Sequence, residues 1–130
     1  MTVATLDRVE SLSADLAAAL GLDESPLRIP PLVLWPAEGQ CSVEGRSVHL
    51  SQREFDLLAA LAAAPDRIIR RERLHELVWG QKLPGRRRDV DVYVRKVRVK
   101  LAEAAPAWAF IHTHHQVGYR LSPEKRATRS

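Results

Sequence analysis

The sequence is poor in the features that mark membrane and secreted proteins. It holds one cysteine, Cys41, which excludes an internal disulfide framework and suits a reducing compartment; we expect this residue to be a small buried hydrophobe on a strand. The longest apolar run, 57–64, covers eight residues, well short of the ~20 that cross a bilayer. The N-terminus shows no basic region ahead of an apolar stretch. The sequence therefore predicts a cytoplasmic protein with no membrane contact.

Motifs of catalysis and of cofactor binding are also missing. The sequence contains no glycine-rich phosphate loop, no nucleophile elbow and no complete metal-ligand spacing. His112 and His114 would point the same way on a strand, with His115 beside them, but no cysteine or carboxylate nearby completes a ligand set. We predict that the protein is not an enzyme and holds no metal or cofactor. The role of this histidine cluster stays open.

Charge is uneven along the chain. Residues 1–50 hold three Arg and Lys against seven Asp and Glu, a balance of −4, whereas residues 51–130 hold 17 against nine, a balance of +8. A positive field at one end is expected for a surface that meets a polyanion, although a solvated charged surface gives the same totals. The arrangement of the cations along the sequence is therefore needed to distinguish a polyanion-binding surface from a solvated one.

Hydrophobic periodicity divides the chain into three parts. Residues 3–20 place apolar side chains at steps of three and four, which predicts an amphipathic helix that packs on its own domain or on a second copy. The proline-rich stretch that follows predicts a linker or an edge. We assign 1–29 to the helix and linker, 30–122 to the main domain, and 123–130 to a disordered tail.

The main domain begins with short extended segments, which predict small antiparallel hairpins. These segments are 32–35, 40–43 and 47–50. A helix follows, because Ser51 and Glu54 have the capping-box spacing, in which each side chain accepts the backbone N–H of the other. We expect this helix to end before Pro65.

Two more helices and a hairpin complete the predicted domain. Residues 71–79 predict the second helix, and the third is expected to begin at Asp89. Extended pieces at 110–113 and 119–121 predict a terminal hairpin, with Tyr119 as a core anchor. The order helix, link, helix, loop, helix is that of a helix-turn-helix domain.

The third helix is predicted to present a cationic face opposite an apolar one. At 100° per residue its apolar side chains fall within one narrow sector, which must face the other helices. This apolar stripe consists of Val90, Val94, Val97 and Leu101. The opposite face consists of Arg88, Val92, Arg95, Lys96 and Val99, with Asp91 and Arg98 at its boundary. Cations interleaved with valine suit a major groove, where valine touches the thymine methyl, and Asp91 is expected to orient Arg95.

Three adjacent arginines precede this helix. Arg86, Arg87 and Arg88 repel one another on a loop at a helix N-terminus unless an anion lies close. A basic stripe alone is a weak signal, because many solvated helix faces look similar, and the triplet strengthens it. Duplex DNA is the predicted partner.

Four blocks of sequence carry a family resemblance: 50–58, 68–74 with 78–80, 88–98, and 111–113 with 118–121. Together they resemble the DNA-binding effector domain of OmpR/PhoB-type bacterial response regulators, over residues 30–122. The resemblance implies an α+β fold, a winged helix-turn-helix with an N-terminal antiparallel sheet of four strands, a three-helix core and a C-terminal β-hairpin wing. It also implies binding to direct repeats as a tandem dimer.

By position, the resemblance implies roles for individual residues. The residues expected to contact DNA are Arg86, Arg87, Arg88, Val92, Tyr93, Arg95, Lys96, Arg98 and His115. Val92 and Lys96 would face bases, and the remaining members on the helix would mostly hold phosphates. His115 stands where many members insert an arginine into the minor groove, so it either touches DNA or is a solvated wing tip. Loop 80–87 would touch RNA polymerase in activating members, or add a contact with DNA.

Departures from the family pattern bear on control and on the wing. Family members normally carry an N-terminal receiver domain with a phosphorylated aspartate, and the 30 residues before the sheet are too few to form one. The serine usual before the second helix is Arg70 here, and Gln116 replaces a glycine in the wing. Control by phosphorylation is therefore not expected, and minor-groove reading is expected to be weaker or to depend on pH.

The predicted function is sequence-specific regulation of transcription. Helix 89–101 would read the major groove of double-stranded DNA and the wing the adjacent minor groove, in a homodimer associated with the nucleoid. Two alternatives stay open: a module that binds RNA polymerase or another protein, and an architectural or silencing protein with little sequence preference.

Overall fold

The computed structural model describes residues 14–23, 25–80 and 88–126. Within them the elements are α1 (Ala14–Leu20), β1 (Leu27–Ile29), β2 (Leu32–Trp35), β3 (Gln40–Val43), β4 (Arg46–Val48), α2 (Gln52–Ala62), β5 (Ile68–Arg70), α3 (Arg71–Trp79), α4 (Arg88–Ala104), β6 (Trp108–His114) and β7 (Gly118–Lys125). An antiparallel sheet of order β1-β2-β3-β4 precedes α2, and a second sheet has the order β5-β7-β6. The predicted α+β winged helix-turn-helix fold is confirmed.

The N-terminal sheet begins earlier than the predicted domain boundary at residue 30. Strand β1 pairs with β2, so that Leu27 lies opposite Leu34 and Ile29 opposite Leu32. This pairing places β1 at the edge of the sheet, inside the segment predicted as a linker or an edge. Leu32 and Leu34 are fully buried, which explains why the sheet packs against the helices rather than standing apart.

The buried helix α2 starts with the predicted capping box. The backbone N–H of Ser51 donates to Glu54 Oε1 at 2.7 Å, and the backbone N–H of Glu54 donates to Ser51 Oγ at 3.3 Å. Two of the four backbone N–H groups that lack a partner within the helix at this end are therefore satisfied by the capping box. Every residue from Glu54 to Ala62 is buried, which makes α2 the centre of the core.

Helix α1 packs on its own domain, in the described part of the predicted helix. Leu16 is only 2% exposed and belongs to the core, while Ala17 and Leu20 pack against that core. The contacts of α1 are with α2 and α3. Residues 3–13 of the predicted helix lie outside the described residues. Among those that are described, none of the helices has the length and apolar character of a membrane span.

Strand β7 runs into the segment predicted as a disordered tail. Lys125 pairs with Trp108 across the sheet, and the backbone N–H of Arg126 donates to the carbonyl of Ala107 at 2.7 Å. The charged composition of this segment suggested disorder, but the partner strand gives its backbone groups a place in the ladder. The prediction of disorder is therefore wrong for 123–126, and 127–130 lie outside the described residues.

Cys41 lies on β3 with its side chain buried in the core, as predicted. Burial raises the pKa of its thiol to about 12, because the thiolate has lost its hydration.

Candidate nucleic-acid interface

Helix α4 presents the two faces that its periodicity predicts. Its apolar stripe is fully buried under α2 and α3. On the other side Val92 is 45% exposed and Val99 52% exposed, and Arg95 and Lys96 are exposed between them. The helix begins at Arg88, one residue earlier than expected. The four described side chains of the face that was predicted to meet DNA are therefore accessible to solvent.

An aromatic ladder supports this face from behind. The Lys96 ammonium lies 4.6 Å from the centre of the Tyr93 ring, and that ring meets Trp79 edge-on with centres 5.4 Å apart. Trp79 in turn stacks on His75 with ring centres 5.5 Å apart. Tyr93 is half-buried, and its expected phosphate contact stays a prediction. This arrangement favours one direction for the Lys96 side chain.

An ion pair between the half-exposed Lys100 and the buried Glu54 lies towards the other end of α4. The Lys100 ammonium donates to Glu54 Oε1 at 2.6 Å, so the carboxylate that caps α2 also binds α4. Burial acts to raise the pKa of Glu54, but the hydrogen bonds from Lys100 and Ser51 outweigh it and lower that pKa. Sequence analysis missed Lys100 because its partner lies far away along the chain.

Asp91 does not orient Arg95, so this expectation is wrong. The Asp91 carboxylate accepts a hydrogen bond from Arg71 Nε at 2.8 Å and another from the Tyr119 hydroxyl. Burial acts to raise the pKa of Asp91, but these two hydrogen bonds outweigh it, and the pKa lies below its ordinary value. Arg95 is exposed, and no described carboxylate pairs with it. The i to i+4 rule identified a possible partner within the helix, whereas the stronger partners come from α3 and β7.

Arg98 binds the wing instead of facing outward. Its Nε and Nη2 atoms donate to the carbonyl of Ile111 at 3.1 and 2.9 Å, and Nη2 also donates to Thr113 Oγ1 at 2.6 Å. The guanidinium is half-buried and lies 5.6 Å from the centre of the Tyr119 ring. These contacts use three of the five N–H groups of the guanidinium, so Arg98 has an internal role, and its expected phosphate contact stays a prediction.

The wing is the hairpin of β6 and β7, and its turn is exposed. His115, Gln116 and Val117 form that turn, which is closed by the Val117 N–H donating to the carbonyl of His114 at 2.9 Å. His115 therefore lies at the tip, where a residue that touches DNA from the wing must lie. Tyr119 follows on β7 and is buried, which confirms its predicted place in the core.

The other two histidines of the cluster contact the neighbouring strand. His112 Nε2 lies 2.7 Å from the carbonyl oxygen of Ser122, and Arg120 Nε donates to His114 Nε2 at 3.1 Å. Within the described residues, no group of three or more histidine, cysteine or acidic side chains could hold a metal ion.

Part of the predicted interface lies outside the described residues. This holds for Arg86 and Arg87 and for most of loop 80–87, as well as for the side chain of Arg88, whose backbone opens α4. Their expected contacts with DNA or RNA polymerase stay predictions.

A protein-family model described as "Transcriptional regulatory protein, C terminal" matches residues 45–121. The chain belongs to this family. The match runs from the turn between β3 and β4 through α2, α3, α4 and the wing to Leu121 on β7. The resemblance found in the sequence blocks is thereby confirmed.

Relatives within bacteria are named for regulation and for DNA binding. The chain is 34% identical over 114 residues to the transcriptional regulatory protein PrrA of Mycobacterium leprae, which covers 88% of this chain and 48% of PrrA. It is 36% identical over 80 residues to the DNA-binding response regulator MtrA of Mycolicibacterium smegmatis, which covers 62% of this chain and 35% of MtrA. The chain thus spans less than half the length of these curated relatives.

A solved structure shows the same fold. The DNA-binding domain of RstA from Klebsiella pneumoniae, solved in complex with the RstA box, superposes with a TM-score of 0.66 at 30% identity. The match covers 75% of this chain and 97% of the RstA domain. Nearly all of that domain therefore has a counterpart in this family member.

Proposed function

We propose that the protein is a sequence-specific transcriptional regulator that binds double-stranded DNA with α4 in the major groove and the wing in the adjacent minor groove. The observation that carries this proposal is the exposed stripe of Val92, Arg95 and Lys96 on a helix whose opposite side is fully buried. A major groove admits one such helix, and its base edges offer acceptors to lysine and a methyl group to valine. Membership of the transcriptional-regulator family supports this use of the stripe.

The side chains on α4 and the wing divide the work of recognition. Lys96 and Val92 face base edges, and Arg95, which has no described partner, holds a phosphate. Arg88 and the outer edge of Tyr93 add phosphate contacts, and Arg86 and Arg87 extend the basic surface from the loop. His115 touches DNA from the wing tip.

Partners and location follow from this activity. The protein acts by binding alone, without catalysis, at the nucleoid in the cytoplasm. It binds DNA as a homodimer on direct repeats, and loop 80–87 reaches RNA polymerase when the protein activates transcription. The domain that binds DNA begins at Leu27, where the N-terminal sheet begins, rather than at residue 30.

Selection from a random duplex pool tests this function. Bound sequences are enriched and identified, and affinity for the winner is compared with affinity for a scrambled duplex at several salt concentrations. A specific reader prefers its site by ~10³-fold or more. Equal binding with a steep salt dependence would identify an architectural protein instead, and no binding to any duplex would identify a protein-interaction module.

A further inference from the structure

The wing is attached to α4 at two separate points. Asp91 accepts hydrogen bonds from the Tyr119 hydroxyl on β7 and from Arg71 at the start of α3. Arg98 donates to the carbonyl of Ile111 and the hydroxyl of Thr113 on β6. Each strand of the wing is therefore bound by a different residue of α4.

The spacing of these two points matters. Asp91 and Arg98 lie seven residues apart, which is about two turns or ~10 Å along the helix axis. The hairpin is already joined to β5 through the pairing of Ile68–Arg70 with β7. Two side-chain contacts this far apart on α4 add a constraint on the distance of the hairpin from that helix and on the angle between them. The wing turn at 115–117 contains none of the residues that Asp91 and Arg98 bind, and it is exposed.

Tyr119 joins the two points into one cluster. Two guanidinium groups contact its ring, with Arg71 at 5.3 Å and Arg98 at 5.6 Å from the ring centre. The ring is buried, and its hydroxyl is spent on Asp91. Loss of that one hydroxyl would leave the packing of the ring in place and the Asp91 carboxylate bound to Arg71, but would break the hydrogen bond between α4 and β7.

We propose that Arg71, Asp91, Arg98 and Tyr119 form a wing lock, which sets the distance and angle between α4 and the wing so that both grooves are contacted by one rigid unit. The inference rests on the proposed function and names positioning residues for it. Asp91 and Arg98 act through the wing and not by touching DNA.

The direction in which DNA affinity changes when the charge of Asp91 is removed distinguishes a positioning role from a purely electrostatic effect on DNA. Asp91 is partly exposed at the edge of the cationic face, so its negative charge opposes the approach of phosphates. If the carboxylate had only this electrostatic effect, its removal would strengthen binding to DNA. If it also holds the wing in place, its removal weakens binding, because the wing loses its fixed position.

Two variants and two duplexes test the lock. The variants are Asp91→Asn and Tyr119→Phe; the second changes no charge and keeps the ring. One duplex carries the full selected site, and the other is shortened so that the wing has no groove to enter. Wild type is expected to lose about tenfold in affinity on the short duplex, whereas both variants start about tenfold weaker on the full site and lose nothing further. Base preference opposite Lys96 is expected to stay unchanged.

Asp89→Asn is the matched control. It removes the same charge from the same helix, and Asp89 makes no polar contact with a described residue. This variant is expected to bind both duplexes at least as well as wild type. The melting temperature of each variant is measured alongside, and if Asp91→Asn does not fold, Tyr119→Phe carries the comparison.

Three results would overturn the lock. The variants bind the full site as tightly as wild type, or they weaken equally on both duplexes, or Asp89→Asn behaves like Asp91→Asn. If wild type binds no duplex at all, the proposed function fails, and the lock is judged on the free protein. Residual dipolar couplings of the amides of 112–118 and of α4 then measure the orientation of the wing relative to that helix. Couplings that change in the variants support the lock, and couplings that stay unchanged in both variants contradict it.

Discussion

Lys96 and Arg95 are neighbours on α4, yet only Lys96 is guided by another side chain. The Lys96 ammonium rests over the Tyr93 ring, a contact of about 0.5 to 1 kcal/mol at an exposed position. Arg95 has no described partner and can follow the nearest phosphate. A cation held in one direction suits contact with one particular base, whereas a cation free to move suits contact with the phosphates, which repeat along the DNA backbone.

Lys96→Ala and Arg95→Ala should therefore differ in kind. Lys96→Ala is expected to cost roughly 1 to 3 kcal/mol on the selected site and to relax the base preference at one position. Arg95→Ala is expected to weaken all sequences alike and to reduce the slope of log affinity against log salt by about 1. Titration of the selected and scrambled duplexes at several salt concentrations measures both.

Arg46→Ala serves as the control for this pair. Arg46 is exposed on β4, an edge strand of the N-terminal sheet, and it is not a residue of the proposed interface. The substitution removes one positive charge without removing a proposed contact. The assignment of roles is contradicted if Arg95→Ala changes the base preference or if Lys96→Ala lowers affinity uniformly.

Sequence alone predicted burial along α4 but not the partners of its polar residues. Val90 and Val94 repeat with the period of the helix, and that period decides which face is covered whatever covers it. Asp91 instead had several possible partners, and the ones it has come from residues 20 and 28 positions away. Such pairs depend on how the helices and strands pack together, and hydrophobic periodicity within one helix carries no information about that packing.

At the scale of elements, Glu54 joins the start of α2 to α4. The same carboxylate accepts from the backbone of Ser51 and from the side chain of Lys100. The helix cap is therefore also a tertiary contact. A change at Glu54 acts on the end of one helix and on the position of another.

Glu54→Gln should reduce the pH dependence of stability. The pKa of Glu54 is lowered in the folded state, so its ionisation stabilises the fold above the unfolded-state pKa, and this stabilisation is lost as the pH falls through the lowered value. At neutral pH the variant is expected to lose about 1 to 3 kcal/mol. On acidification below the ordinary glutamate range, the gap between variant and wild type is expected to narrow. Urea unfolding at a series of pH values measures both effects.

Glu103→Gln provides the comparison, since Glu103 is an exposed glutamate on α4. It should leave stability and its pH dependence close to those of wild type. A Glu54→Gln variant whose deficit stays constant from neutral to acid pH would contradict the role of ionisation.

Elements defined by local signals were predictable, and those defined by pairing were not. The capping box spans four residues, so its partners are adjacent in the sequence. Strand β1 has only three residues and lies between prolines, so its composition predicts a linker as readily as an edge. The end of β7 is charged, and it is a strand because Trp108 on β6 offers it a partner.

At the scale of the whole molecule, the fold extends beyond the segment that the family model matches. That match begins at residue 45, yet Leu16 on α1 and Leu34 on β2 are core residues. The N-terminal segment thus contributes to the same hydrophobic core as α2 and α3.

Leu16→Ala should destabilise the domain by about 2 to 4 kcal/mol, because the variant leaves a cavity under α1. Thermal or urea unfolding measures the loss. The effect is expected to be independent of protein concentration, since Leu16 is buried within one chain. Leu22→Ala, at a half-buried site just after α1, is expected to cost less. A loss that disappears as the protein is concentrated would instead indicate packing on a second copy.

The burial of Cys41 has a practical consequence for studies of this molecule in solution. With a thiol pKa of about 12, only on the order of one molecule in 10⁵ carries a reactive thiolate near neutral pH. It is also the one cysteine in the chain. A fluorophore or spin label directed to a second cysteine introduced at Gln116 would therefore attach selectively there, with the native thiol left in place as a silent part of the core.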